Sequence, residues 1–246
     1  MSPEPDSLND RLRRAGIRHF DDLIHDQTEA WLVENFREGA DEYPVNVARL
    51  MRNLIWQMRE RIERKEKPPL RELIRTYWYM YVKPTLSRAG ALASETDQYA
   101  QLTDTLVGLV KDFNVLRYKD IGFRDDNQND RRLGKNANVI VFAEKAGALD
   151  FLLELHAQYD VTVIALGGQP SLLSAEYFVD AIRAADVNLK RSFYLFSLVD
   201  YDPSGWIIQQ AFLNDLAFYG LSHARVTELI TPDRLTVDEV LASRFR

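Results

Sequence analysis

Residues 138–155 read NVIVFAEKAGALDFLLEL, and this stretch decides the fold. Asn138–Ala143 is a short run dominated by Val, Ile and Phe, the pattern of a strand buried on both faces. A Glu-Lys turn follows, and then Ala148–Gln158 has the apolar spacing of a helix. Downstream the alternation repeats. Val161–Leu166 (VTVIAL) reads as a strand, Leu172–Ala185 as a helix, Ser192–Val199 (SFYLFSLV) as a strand and Trp206–Tyr219 as a helix. Strands alternating with helices at these lengths imply crossover connections and a parallel-rich sheet flanked by helices, an α/β domain.

In open parallel sheets the chemistry gathers at the carboxyl ends of the strands. Three turns should meet there: Glu144-Lys145, Gly167-Gly168-Gln169-Pro170, and Asp200-Tyr201-Asp202-Pro203-Ser204-Gly205. Carboxylates from two strands thus converge beside a glycine turn that allows close backbone approach. Mg²⁺ takes oxygen ligands, commonly one or two carboxylates plus water and substrate phosphate. Asp200 and Asp202 can share one metal or hold two, and Glu144 can be a further ligand or a general acid/base. Acidic residues in such turns also cap helices, and Asp202 before Pro203 suits a helix start. The joint pattern of three strand-end turns favours the metal site.

The first half is different. Residues 8–38 read as two short amphipathic helices, ended by Gly39. Val45–Arg64 has long-helix periodicity, broken by Lys65–Pro69. A second helix is expected from about Leu70 to Val82, stopped by Pro84, and a third from about Glu95 to Asp112. Asn114–Phe123 reads as short and β-like, and Arg124–Asn136 as a polar, turn-rich stretch. Three helices and a short β-ribbon is the element order of a winged-helix domain.

The formal net charge is −6, but it is unevenly spread. Residues 1–44 carry a balance of −6, residues 45–88 a balance of +7, and residues 89–246 a balance of −7. The central basic segment suits phosphate contacts, although Glu60, Glu63 and Glu66 interleave with it as helical ion-pair partners. The chain has no cysteine, which excludes disulfides and thiolate zinc sites. His19, His25, His156 and His223 are scattered. No apolar run approaches the ~18–20 residues that span a bilayer, and the polar, acidic MSPEPDSLND start is unlike a signal peptide. A cytoplasmic protein with no membrane partner is expected.

Three segments carry a family resemblance: VIVFAEKAGALDFLLEL (139–155), ALGGQP (165–170) and LFSLVDYDPSG (195–205). They resemble a Toprim domain, the metal-binding module of topoisomerases, primases and related nucleases. The Glu-Lys and Gly-x-Pro turns are most similar to those of the topoisomerase VI A subunit and the related meiotic double-strand-break proteins. The resemblance implies a mainly α winged-helix (CAP-like) domain over 45–134 and a Toprim domain over 135–246. An N-terminal helical arm over 1–44 rests on its helical periodicity alone, since the resemblance covers roughly residues 45–220. The resemblance also implies a Mg²⁺ site at Glu144, Asp200 and Asp202. The family's tyrosine motif resembles Arg-x-x-Tyr-Tyr. Here the matching residues are Arg75-Thr76-Tyr77-Trp78-Tyr79, which puts Tyr79 at the nucleophile position with Trp78 replacing the first tyrosine. Tyr77 and Tyr81 remain alternatives.

The function so implied is DNA cleavage through a 5′-phosphotyrosyl link, by a homodimer on double-stranded DNA. Arg71, Arg75, Lys83, Arg88 and Lys145 would contact the DNA, and a separate ATPase B subunit would be needed for strand passage. Two rivals are a Toprim nuclease without a covalent intermediate, of plasmid-defence type, and a non-catalytic winged-helix DNA-binding or scaffold protein.

Overall fold

The computed structural model describes Leu23 and residues 28–35, 47–234 and 236–242. Its residues fall into two compact units that divide between Arg124 and Asp125. Of the helices expected within residues 8–38, Glu29–Asn35 (α1) is described, and the rest lies outside the described residues.

The first unit is helical. Helix α2 (Val47–Glu63) turns Leu50, Met51, Ile55 and Trp56 inward. It packs with α5 (Glu95–Val107), whose Leu102 and Leu106 are fully buried. Ser94 caps α5 by accepting from the N–H of Asp97. The helix continues through a π turn, Gly108–Asp112, so the expected span to Asp112 is observed.

The expected stop at Pro84 is not. Helix α3 (Ile74–Tyr77) runs directly into a π turn, Trp78–Val82, and then into α4 (Lys83–Arg88). Proline has no N–H to give to the carbonyl four residues back. The wider turn just upstream, closed by the Lys83 N–H on the Trp78 carbonyl, lets the chain continue past it. The β-ribbon expected over Asn114–Phe123 is also replaced. Tyr118–Ile121 is a helical turn (α6), ended by Gly122 at φ +83°. Residues 121–124 do hydrogen-bond to 70–72, through Leu70 N–H to Ile121 O, Arg71 N–H to Gly122 O and Arg124 N–H to Glu72 O. Among the described residues up to Arg124, no strand is formed.

The second unit is an α/β domain with a five-stranded sheet in the order β1-β3-β2-β4-β5. The strands are Arg131–Arg132, Asn136–Ala143, Val161–Ala165, Phe193–Leu198 and Ala224–Glu228. Strands β2 to β5 pair in parallel, and β1 pairs antiparallel with β3. The sheet is therefore mixed and mostly parallel. Neither edge strand was anticipated: β1 lies in the stretch read as turns, and β5 is a strand without an apolar run.

Helix α7 (Leu149–Tyr159) covers one face, with Leu152 against Val141, Ala143, Val163 and Ala165. Helices α8 (Leu172–Ala184) and α9 (Pro203–Phe218) supply Phe178 and Phe212; Phe212 packs against Phe142, from the alternate set of β2 residues, and Phe178 packs against Phe212. The tail carries α10 (Val237–Ala242). Among the described residues, no helix is long and apolar enough to cross a membrane.

Candidate active-site residues

The strand order places the acidic turns. From β2 the chain crosses to β3 on one side, then returns past β2 to β4 on the other. The order reverses between β2 and β4, and a crevice opens at the carboxyl ends of two strands that diverge in this way. Glu144 leaves β2 at that point and Asp200 follows β4. Backbone bonds pin the ends together: Glu144 N–H donates to Leu198 O at 3.2 Å, and Gly168 N–H to Glu144 O at 2.8 Å. The Asp200 N–H donates to Glu144 Oε2 at 3.3 Å.

The Lys145 ammonium lies at these strand ends. Lys145 Nζ lies 2.5 Å from Asp200 Oδ2. Asp200 above all, then Glu144 and Asp202, hold the Lys145 ammonium above its ordinary pKa. All three carboxylates thus act on one point. Their roles differ, however. Asp202 Oδ1 accepts from Gly205 N–H at 2.7 Å and caps α9, so the capping role weighed from sequence is real. Among the described residues, no group of three or more His, Asp or Glu side chains is arranged as a metal-holding cluster. The carboxylates of Glu144 and Asp200 are the oxygen ligands this edge would offer a Mg²⁺ ion, with water and phosphate oxygens completing its shell.

Gly167 and Gly168 hold φ +69° and +109° with open space where a Cβ would project; conformation requires them. Gly205 is the crowded one, since an added Cβ would overlap the Asp200 carbonyl oxygen. Tyr201 and Trp206 stand exposed beside the turn, edge to face at 5.6 Å.

In the helical unit the three candidate tyrosines separate cleanly. Tyr77 is buried, and burial pushes its phenol well above the usual range. Tyr81 is half-buried, with Lys67 Nζ 4.6 Å from its ring centre. Tyr79 is the exposed one, at 43%. Its hydroxyl donates to Glu95 Oε1 at 2.7 Å. Lys83 Nζ bonds the other oxygen, Oε2, at 2.5 Å and lies 5.1 Å from the Tyr79 ring centre. The hydrogen bond with Tyr79 raises the pKa of Arg75. Arg75, Tyr79 and Lys83 are therefore brought together as their four-residue spacing implies. Glu95 was missed, because nothing local in Ser94-Glu95 distinguishes it from an ordinary helix start.

The other basic residues divide. Arg71 is exposed in a left-handed turn at φ +57°. Arg88 pairs with Glu29. Arg59 pairs with Glu63, Arg61 with Glu66, and Arg64 with both Glu60 and Glu66, so part of the +7 segment is neutralised internally. Arg131 is largely buried and paired with Asp125 at 2.5 Å. No protein-family model matches this chain, and no curated protein matches it.

Proposed function

We propose that this chain cleaves DNA with Tyr79 as nucleophile and a Mg²⁺ site in its α/β unit, as a type IIB topoisomerase A-subunit-like enzyme. On this reading the α/β unit is a Toprim domain, and the helical unit is the DNA-binding domain of winged-helix descent. The observation that carries it is the meeting of Glu144 and Asp200 at the strand-order reversal, joined by the Asp200 N–H, with the Lys145 ammonium on Asp200.

Glu144 and Asp200 would hold the metal, with Asp202 contributing its charge while it caps α9. When bound, Mg²⁺ would neutralise phosphate charge and assist the leaving 3′-oxygen. The remaining work falls to the chain itself. The Tyr79 hydroxyl attacks phosphorus, and the Arg75 guanidinium beside it stabilises the charge that builds on the phosphate. The covalent link keeps the broken strand available for resealing. Arg71, Lys83 and Lys145 supply phosphate contacts, and the enzyme acts as a homodimer on double-stranded DNA.

The test is supercoiled plasmid with Mg²⁺, quenched with detergent and run with and without protease. DNA that enters the gel only after protease treatment, and that is lost in Tyr79→Phe but kept in Tyr77→Phe and Tyr81→Phe, is the expected result. Free ends with all three variants would replace the tyrosine mechanism with a water-based nuclease. An inert protein that still binds DNA would leave a DNA-binding role alone.

A further inference from the structure

Three side chains, Arg75, Lys83 and Glu95, meet at Tyr79, and the last has no part in the chemistry so far. Glu95, in the first turn of α5, accepts the Tyr79 hydroxyl proton at 2.7 Å on Oε1. Its Oε2 is held by Lys83 Nζ at 2.5 Å. A carboxylate fixed through one oxygen by an ammonium has its other oxygen aimed. That oxygen is aimed at the hydroxyl that must lose a proton when it attacks.

We infer that Glu95 is the general base for Tyr79, taking the phenolic proton as the tyrosine oxygen bonds to phosphorus, with Lys83 as the residue that positions it. The inference rests on the reading of Tyr79 as nucleophile. The step balances without a further reagent. The Tyr79 Oη–phosphorus bond forms, the phosphorus–3′-oxygen bond breaks, and the phenolic proton passes to Glu95 Oε1. The departing 3′-oxygen takes a proton from water. In resealing, the protonated Glu95 returns its proton to the phenolate as it leaves.

Lys83 first, then Tyr79, hold the Glu95 carboxyl below its usual range, so it is charged at neutral pH but a weaker base than an ordinary glutamate; the geometry, not the shift, carries the role. A carboxylate is a weaker base than a free phenolate, so transfer accompanies bond formation, as it does when a kinase aspartate takes a substrate hydroxyl proton. The position at the start of a helix also favours the charged form. The charged and titratable groups facing the pair are Arg75 and Lys83 from the tyrosine's own helix and Tyr99 from α5.

The experiment measures covalent capture of duplex DNA by the full chain with Mg²⁺, comparing wild type, Tyr79→Phe, Glu95→Gln and Glu95→Asp. DNA affinity is followed in parallel by fluorescence anisotropy. Glu95→Gln should slow capture by about 10²-fold or more without weakening DNA binding, since it removes a negative charge. Its rate should climb with pH toward phenol ionisation more steeply than that of wild type, and Glu95→Asp should recover part of the loss. A duplex with sulfur replacing the leaving 3′-oxygen needs no help to expel its leaving group, so it should not rescue Glu95→Gln. Capture by Glu95→Gln at the wild-type rate, or rescue by the sulfur substrate, overturns the role of Glu95 and leaves Tyr79 standing. Capture that survives in Tyr79→Phe, or none in wild type, overturns the nucleophile and this inference with it.

Discussion

Gly205 lies so close to Asp200 that a Cβ at position 205 would overlap the Asp200 carbonyl oxygen. The tightness of the Asp-x-Asp-Pro-x-Gly turn follows. The Asp202 N–H folds back to Asp200 O at 2.9 Å, and the Gly205 N–H reaches Asp202 Oδ1 at 2.7 Å. Only a residue without a side chain closes this loop. Gly205→Ala should cost about 1–3 kcal/mol, the usual range for overpacking, and should displace Asp200 enough to abolish Mg²⁺-dependent cleavage. Thermal unfolding and the plasmid assay read the two effects. An alanine variant with wild-type stability would mean that the turn opens freely.

Asp202 holds the helix start and contributes charge, and two substitutions separate these roles. Asn caps a helix about as well as Asp, so Asp202→Asn should unfold like wild type while its cleavage falls. Asp202→Ala loses the cap as well and should be less stable by about 1 kcal/mol. Equal activity in Asn and wild type would assign Asp202 to capping alone.

Lys145 competes for the place a metal would take. Its ammonium lies 2.5 Å from Asp200 Oδ2, and a divalent ion must displace it. Lys145→Gln should therefore bind Mg²⁺ or a luminescent lanthanide at lower concentration than wild type, measured by titration without DNA. Cleavage at saturating Mg²⁺ should drop, because the variant has no ammonium to reach phosphate. Unchanged metal affinity would show that the pair is incidental.

Tyr77 gives a pH signature. The unfolded chain has an ordinary phenol at pKa 10.0, and burial raises the folded value well above it. Below 10.0 both states keep the proton and the stabilising contribution is complete. Above it the unfolded state binds fewer protons, so stability falls as pH rises. Urea unfolding of Tyr77→Phe should lose less stability than wild type between neutral and strongly alkaline pH. Parallel losses would mean that Tyr77 ionises freely in the folded protein.

What the sequence carried, and what it hid, follows from the range of each interaction. Strand β3 and the second half of β2 are buried on both faces, and β4, though buried on alternate residues, is apolar or aromatic at all but one position, so their runs announce them. β5 is exposed along Arg225, Val226 and Thr227 and owes its existence to pairing with β4, which no local pattern records. β1 is two residues held by the edge of β3. The meeting of Glu144 with Asp200 was legible because strand ends share an edge. The Lys145 contact and the Asp202 cap depend on side-chain direction within that edge. Glu95 was invisible because its partnership with Tyr79 spans 16 residues and two helices.

Pro84 misled the reading of the helix, and it yields the last prediction. The π turn Trp78–Val82 sits directly before Pro84, whose ring nitrogen cannot bond the Met80 carbonyl in an α-helical register. Such insertions are frequent at functional sites, and this one sets the phase between Tyr79 and Lys83, hence the approach of Lys83 to both the tyrosine ring and Glu95. Pro84→Ala restores the missing N–H and lets the helix relax to regular winding. The variant should be at least as stable as wild type by urea unfolding, because a backbone hydrogen bond is gained. Its covalent capture of DNA should nevertheless fall by about 10²-fold, the cost of a misplacement near 1 Å among reacting groups. A variant as active as wild type would show that the π turn is an accommodation to proline alone. A variant that is both less stable and inactive would show that proline is needed to hold the helix against the core.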